Sequence, residues 1–384
     1  MGQEEEDETP AEPPSAATKK DREGEAWNLR KDRLILELAD KLITGGDLST
    51  KIQAARDIRR LVRKSSSTKT RSKFASAGVI QPLILMLLSP NLDAREASLL
   101  ALLNLAVRNE RNKVSIVTAG AIPPLVEILK FQTSSLRELA TAAILTLSAA
   151  EPNKSIIAAS GAPQFLVQIL TLGSVQGKVD AVTALHNLST CTVDNSSHVI
   201  LDHKAVTPLI SLLKECKKYS KFAEKATALL EILAKSEEGR AAITDSEGGI
   251  LTIVETVEDG SLVSMEHAVG ALLSLCQSNR DKYRGLILSE GAIPGLLRLT
   301  AEGTTKSQER ARTLLDLLRD TPEEKRLASS VIEKMVYDIA SQVDGSDKAA
   351  AETAKKLLQD MVQRSRNHVQ RKAASCTCSN IKSP

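Results

Sequence analysis

The chain has 384 residues and a formal net charge of only +3, which excludes the bulk polycation or polyanion that binds by charge alone. Apolar residues make up 42% of it and aromatics 2%, so Leu, Ile, Val and Ala must build the core, a composition suited to slender stacked helices. No apolar run reaches the length of a bilayer span, and Met1 to Glu8 is acidic where a secretory leader is basic, so a cytoplasmic or nuclear protein is expected.

Charge is segregated along the chain. Residues 1–25 carry nine acidic side chains against Lys19, Lys20 and Arg22, with Pro10, Pro13 and Pro14, and read as a disordered acidic tail. A leading helix is expected over 26–46, through W-N-L-R-K-D-R-L-I-L-E-L-A-D-K-L-I, ending before Gly45 and Gly46. A helix around K-I-Q-A-A-R-D-I-R-R-L-V follows. With the residues after it, it forms a basic patch of Arg56, Arg59, Arg60, Arg63, Lys69, Arg71 and Lys73, flanked by Lys51 and Lys64 and opposed by Asp57. Such a patch suits an acidic protein, a phosphorylated segment or an anionic membrane. A solvated face with no partner is the competing reading. Nucleic acid is not expected, because only Phe74 is near enough for stacking and no binding motif accompanies it.

From Gly78 onward the chain repeats itself. G-V-I-Q-P-L-I-L-M-L-L at Gly78 recurs as G-A-I-P-P-L-V-E-I-L at Gly120 and G-A-P-Q-F-L-V-Q-I-L at Gly161, then in weaker form at Lys204, Gly248 and Gly291. The steps are 42, 41, 43, 44 and 43 residues. A second phrase accompanies each copy, as A-S-L-L-A-L-L-N-L at Ala97 and D-A-V-T-A-L-H-N-L at Asp180, with apolar residues three and four apart. These are amphipathic helices whose alanines permit close approach. Short helices such as N-K-V-S-I-V-T-A-G and N-K-S-I-I-A-A-S-G end on the glycine, which fits a left-handed stop, so each unit reads as three helices. The last unit, E-E-K-R-L-A-S-S-V-I-E-K-M-V-Y with D-K-A-A-A-E-T-A-K-K-L-L-Q-D-M-V, lacks the glycine and suits an irregular cap. Residues 365–384 read as a disordered basic tail.

These phrases resemble armadillo repeats, most closely those of plant U-box proteins, over a solenoid of about seven to eight units spanning 47–364. The resemblance implies an all-α, right-handed α-solenoid acting as a non-catalytic protein-protein interaction scaffold, with no cofactor and as a monomer. A U-box opens with a C-P-I type phrase, and none occurs in this sequence. Autonomous ligase activity is therefore not expected, and a substrate adaptor or regulator in a U-box ubiquitin ligase pathway is the alternative function.

In armadillo proteins the third helices line a groove in which an asparagine bonds a peptide backbone. Asn104 and Asn187 match that place, Thr146 and Ser274 keep a small polar group there, and Arg60, Ile232 and Leu317 depart from it. The other reading is that these asparagines satisfy helix ends. An importin-α-like nuclear-import receptor also needs tryptophans one turn earlier, where this chain has Leu100, Thr183 and Gly270, so that reading ranks lower.

No catalytic constellation emerges. The histidines His186, His198, His203, His267 and His368 lack a metal-binding motif, and His198 with His203 near Asp202 is too few ligands for zinc. Cys191 and Cys276 read as core or boundary residues, and with Cys216 they are expected to be reduced. Cys376 and Cys378 follow Arg371 and Lys372, a context for acylation, but a second lipid signal is missing, so stable membrane anchoring is not expected.

Overall fold

The computed structural model describes residues 16–65, 68–131, 135–190, 201–320 and 356, with side chains from Trp27 onward. Most of the acidic segment, Cys191, His198, the irregular last unit and the basic tail lie outside the described residues. The chain separates into two units, Met1–Leu317 and Leu318–Pro384. The first holds the solenoid; of the second only 318–320 and Lys356 are described.

Every regular element among the described residues is helical: nineteen α-helices and one 3-10 turn. The first, α1 (Ala16–Thr44), starts upstream of residue 26, where the leading helix is expected to begin. Ala16, Ala17, Lys19, Lys20 and Glu25 are strong helix formers, so propensity carries the helix beyond its apolar stripe. It stops at Gly45, and Asp47 opens α2 (Leu48–Lys64) by accepting the Thr50 N–H at 3.1 Å. A bond from Ser49 and that from Thr50 hold the Asp47 carboxyl at about 2.

Six units follow. The first three are complete triplets: α3 (Thr68–Ser76), α4 (Ile80–Leu87) and α5 (Leu92–Ala106); α6 (Glu110–Thr118), α7 (Ile122–Leu129) and α8 (Ser135–Ser148); α9 (Glu151–Ala159), α10 (Ala162–Leu172) and α11 (Val175–Ser189). In the fourth, a 3-10 turn at His203–Ala205 precedes α12 (Val206–Glu215) and α13 (Lys221–Leu233). The last two units are again triplets, α14 (Glu237–Asp245), α15 (Gly249–Asp259) and α16 (Leu262–Ser278), then α17 (Arg280–Ser289), α18 (Ala292–Glu302) and α19 (Thr305–Leu318). Second helices touch second helices from α4 to α18, and third helices touch third helices from α2 to α16. Between the two rows Leu83, Leu99, Leu125, Ile144, Leu166, Leu185, Leu209, Leu229, Ile253, Leu272 and Leu296 are fully buried, one continuous core without a centre.

The turn glycines have the conformation their position demands. Gly78, Gly120, Gly161, Gly248 and Gly291 adopt φ values of 81°, 92°, 82°, 62° and 76°. The unit that has Lys204 in place of glycine enters its second helix through the 3-10 turn instead, capped by Asp202 on the Lys204 N–H at 2.9 Å. A Cβ at Gly120 would meet nothing within 4 Å, so Gly120→Ala isolates the backbone penalty. It is expected to lower unfolding free energy by about 1 kcal/mol, read from denaturant midpoints, because an L-residue is strained in the left-handed region.

Candidate functional site: the inner helix ladder

The inner surface is made by α2, α5, α8, α11, α13, α16 and α19, and its character changes from one end to the other. Each of the four expected groove residues lies on an inner helix and is half-buried: Asn104 on α5, Thr146 on α8, Asn187 on α11 and Ser274 on α16. Three of them bond backward within their own helix: Asn104 Nδ2 to the Leu100 carbonyl at 2.7 Å, Thr146 Oγ1 to Ala142 at 2.8 Å, and Ser274 Oγ to Gly270 at 2.9 Å. Asn187 differs, because its Nδ2 donates to Ser148 Oγ on the neighbouring α8 at 3.2 Å. An asparagine amide has two donors and a carbonyl acceptor, so Asn104 and Asn187 each retain a donor that these bonds do not use.

At the amino-terminal end, α2 buries Ile52, Ala54, Ala55, Ile58 and Val62 and turns Arg56, Arg59, Arg60 and Arg63, spaced three and four apart, to its other side. These arginines, with Lys64 and with Glu96, Ala97 and Leu100 of α5, line an open cleft of about 520 Å³. Five cations therefore face one carboxylate. Arg60 is paired with Asp57 of its own helix at 2.9 Å, and Arg56 stands 4.0 Å from Asp93. Both pairs are solvated and screened, so they neutralise the cleft only weakly. Arg59, Arg63 and Lys64 have no ionic partner among the described residues.

The rest of the expected basic patch is not part of this cleft. Lys69, Arg71 and Lys73 belong to α3, a first helix of the next unit. Arg71 is 8% exposed, and its Nε donates to the Asn104 carbonyl at 3.1 Å, which makes it a tie between α3 and α5. The sequence spacing groups it with surface arginines, but the α3 face bearing it turns inward. Lys73 reaches across to Asp32 of α1 at 2.5 Å.

Toward the other end a network that the motifs do not reveal crosses three inner helices. Glu231 of α13 accepts from His267 Nδ1 of α16 at 2.6 Å and from Arg310 Nη2 of α19 at 2.7 Å. Arg310 Nη1 also donates to the Glu266 carbonyl at 2.9 Å, and the Glu266 carboxylate holds Lys306 at 3.0 Å. Arg310 reaches Glu231 by passing over α16 at Gly270, where a Cβ would stand 2.5 Å from Arg310 Nη1 and 2.6 Å from Glu231 Oε1. Burial alone raises the Glu231 pKa, but the His267 bond and the Arg310 charge outweigh it and hold the carboxyl below its usual value. Between the two ends, burial and the charge of Lys225 push the His186 imidazole down, and Lys225 donates to Thr183 at 3.3 Å.

Thr183 and Gly270, two of the places where an import receptor would carry tryptophan, are thus occupied by polar ties, and Leu100 forms part of the cleft floor. Burial raises the Cys216 and Cys276 thiols, which removes both as thiolates near neutral pH. Among the described residues no three His, Cys, Asp or Glu side chains converge as a metal would need.

Residues 178–339 match the family described as the plant U-box protein ARM repeat region. The chain is 31% identical to U-box domain-containing protein 45 of Arabidopsis thaliana over 320 residues, 82% of this chain and 40% of that protein. Against U-box domain-containing protein 17 of the same plant it is 31% identical over 310 residues, 80% of this chain and 40% of the other. It therefore spans about two fifths of the length of these relatives. An engineered protein of known crystal structure superposes with a TM-score of 0.59 at 23% identity, covering 83% of this chain and 77% of that one, a likeness of fold.

Proposed function

We propose, from the premise that this chain is an armadillo-repeat protein related to the repeat regions of plant U-box proteins, that it is a scaffold that holds an extended acidic or phosphorylated segment of another protein along its inner helices. The observation that carries the reading is the α2–α5 cleft, with five cations against Glu96 and an apolar floor of Ala97 and Leu100. Guanidinium groups grip carboxylate and phosphoryl oxygens in pairs, and Arg59 and Arg63 have no competing ionic partner among the described residues. Beyond the cleft, the spare donors of Asn104 and Asn187 supply sequence-independent bonds to an extended backbone.

Fluorescence anisotropy with a labelled Glu-rich peptide, plain and phosphoserine-bearing, tests this. Arg59→Glu with Arg63→Glu is expected to weaken binding at least about tenfold, because each reversal replaces attraction by repulsion in a shared cleft. The parent affinity should fall steeply with salt and the variant's far less. An unchanged affinity would sink the reading. A Lys/Arg-rich peptide serves as the counter-probe, since an import-receptor role requires it to bind and the cationic cleft repels it.

The relatives' U-box domains favour a second reading, that of an adaptor or regulator within a U-box ubiquitin ligase assembly. Crosslinked purification from plant cells distinguishes it. Recovery of U-box proteins that is lost with the Arg59/Arg63 reversal supports both readings at once, whereas recovery that survives it assigns the assembly to another face.

A further inference from the structure

α1, the first helix described, packs against α2, α3 and α4. Ile35, Leu38, Ala39 and Leu42 bury its inner face, yet Leu29, Leu36 and Ile43 are 70%, 64% and 46% exposed. They recur seven apart, close to two helical turns, and so form one apolar line about 21 Å long. Arg33 and Asp40 stand beside that line, each four residues after one of its leucines, and both are exposed. Neighbouring charges are already engaged, Asp32 with Lys73 at 2.5 Å and Glu37 with Lys41 at 2.8 Å. Arg33 and Asp40 have no partner for their side chains among the described residues.

We propose that this face takes a second copy of the same chain, with the two α1 helices antiparallel about a two-fold axis at Leu36. Two observations select that occupant. The apolar line is symmetric about Leu36, so Leu29 of one copy meets Ile43 of the other and Leu36 meets its own equivalent, the self-complementarity of an isologous contact. Arg33 and Asp40 lie on one flank at nearly equal distances to either side of Leu36, so the antiparallel pairing sets each Arg33 against the other copy's Asp40. A parallel pairing would carry the two charged flanks to opposite sides of the contact, where Arg33 and Asp40 cannot meet, and charge therefore favours the antiparallel orientation. The line is narrow compared with a standard interface, so the dimer is weak and concentration-dependent. It replaces the single-chain state that the repeat sequence alone leads one to expect, and it does not depend on what binds the inner helices.

Sedimentation velocity on the full chain over a concentration series tests the proposal. The parent should move from monomer toward dimer as concentration rises, and Leu36→Glu should raise the dissociation constant at least about tenfold. Because Leu36 is exposed, the variant should retain the parent's circular dichroism and melting temperature. Arg33→Asp alone should weaken the dimer about tenfold, and adding Asp40→Arg in the same chain should restore it to within about threefold of the parent, since the swapped charges pair again. A parent that stays monomeric throughout, a dimer indifferent to Leu36→Glu, or a double reversal as weak as the single one would each overturn the proposal.

Discussion

Asn112→Ala is expected to destabilise the solenoid by about 2–4 kcal/mol, because one buried amide serves two buried carbonyls. Asn112 is 2% exposed on α6, and its Nδ2 donates to the Arg71 carbonyl at 3.1 Å and to the Leu105 carbonyl at 3.0 Å. One carbonyl belongs to the first helix of the preceding unit and the other to the end of its third helix, so a single amide ties two units together. Asn153 repeats the arrangement one unit later, on the Lys113 carbonyl at 3.1 Å and the Leu147 carbonyl at 3.0 Å. Alanine would leave two carbonyls in a buried site without these donors, and each such loss costs about 1–3 kcal/mol. Because stability in a repeat array is transmitted only between neighbours, the damage should also divide the cooperative unit at that junction. Urea unfolding followed by circular dichroism checks both points. A midpoint within error of the parent would show that water replaces the amide and that the tie contributes nothing.

The Asn112 and Asn153 ties explain where sequence reading succeeds and where it stops. The phrases E-R-N-K and E-P-N-K are plainly repeated, and their period, the apolar spacing and the stop glycines suffice to lay out the helix triplets. Those features are local: a left-handed glycine at Gly120 or an alanine at a crowded helix crossing is required whatever the neighbours do. The direction of a polar side chain is not local. Asn112 and Asn104 are alike in sequence, yet one spans two units and the other bonds back to Leu100. Arg71 counts with Arg59 and Arg63 by charge, yet it is drawn inward to the Asn104 carbonyl by the orientation of α3. The network of Glu231 and Arg310 is hidden more deeply still. Its partners stand 79 residues apart, and their meeting depends on the missing side chain of Gly270 between them.

Arg310→Leu is expected to cost about 2 kcal/mol near neutral pH, less than the roughly 3–5 kcal/mol of a fully buried broken pair because both groups keep some contact with water. Glu231 is 12% exposed and Arg310 21%. The folded Glu231 carboxyl lies below its ordinary value, so its contribution is complete above the unfolded carboxyl's pKa of about 4.3 and disappears as pH falls through the lower folded value. Without Arg310, burial opposes only the His267 bond, the carboxyl moves upward, and the variant loses its charge at higher pH than the parent does. The stability gap between the two proteins should therefore be widest near pH 7 and close as pH falls through the parent's lowered folded value, beneath which Glu231 is protonated in both. Gly270→Ala reports the same network from the opposite direction. In the parent its Cβ crowds Arg310 Nη1 and Glu231 Oε1, which must swing aside, so the pair weakens and stability falls. In the Arg310→Leu background the contact with Arg310 is gone while Glu231 Oε1 still crowds the new Cβ, so Gly270→Ala should cost less there than in the parent. Chemical denaturation of the four proteins of this cycle at pH 7 supplies the measurement. Equal costs of Gly270→Ala in the two backgrounds would mean that Gly270 and Arg310 act independently, and that the passage of Arg310 over α16 is not what holds the three inner helices together.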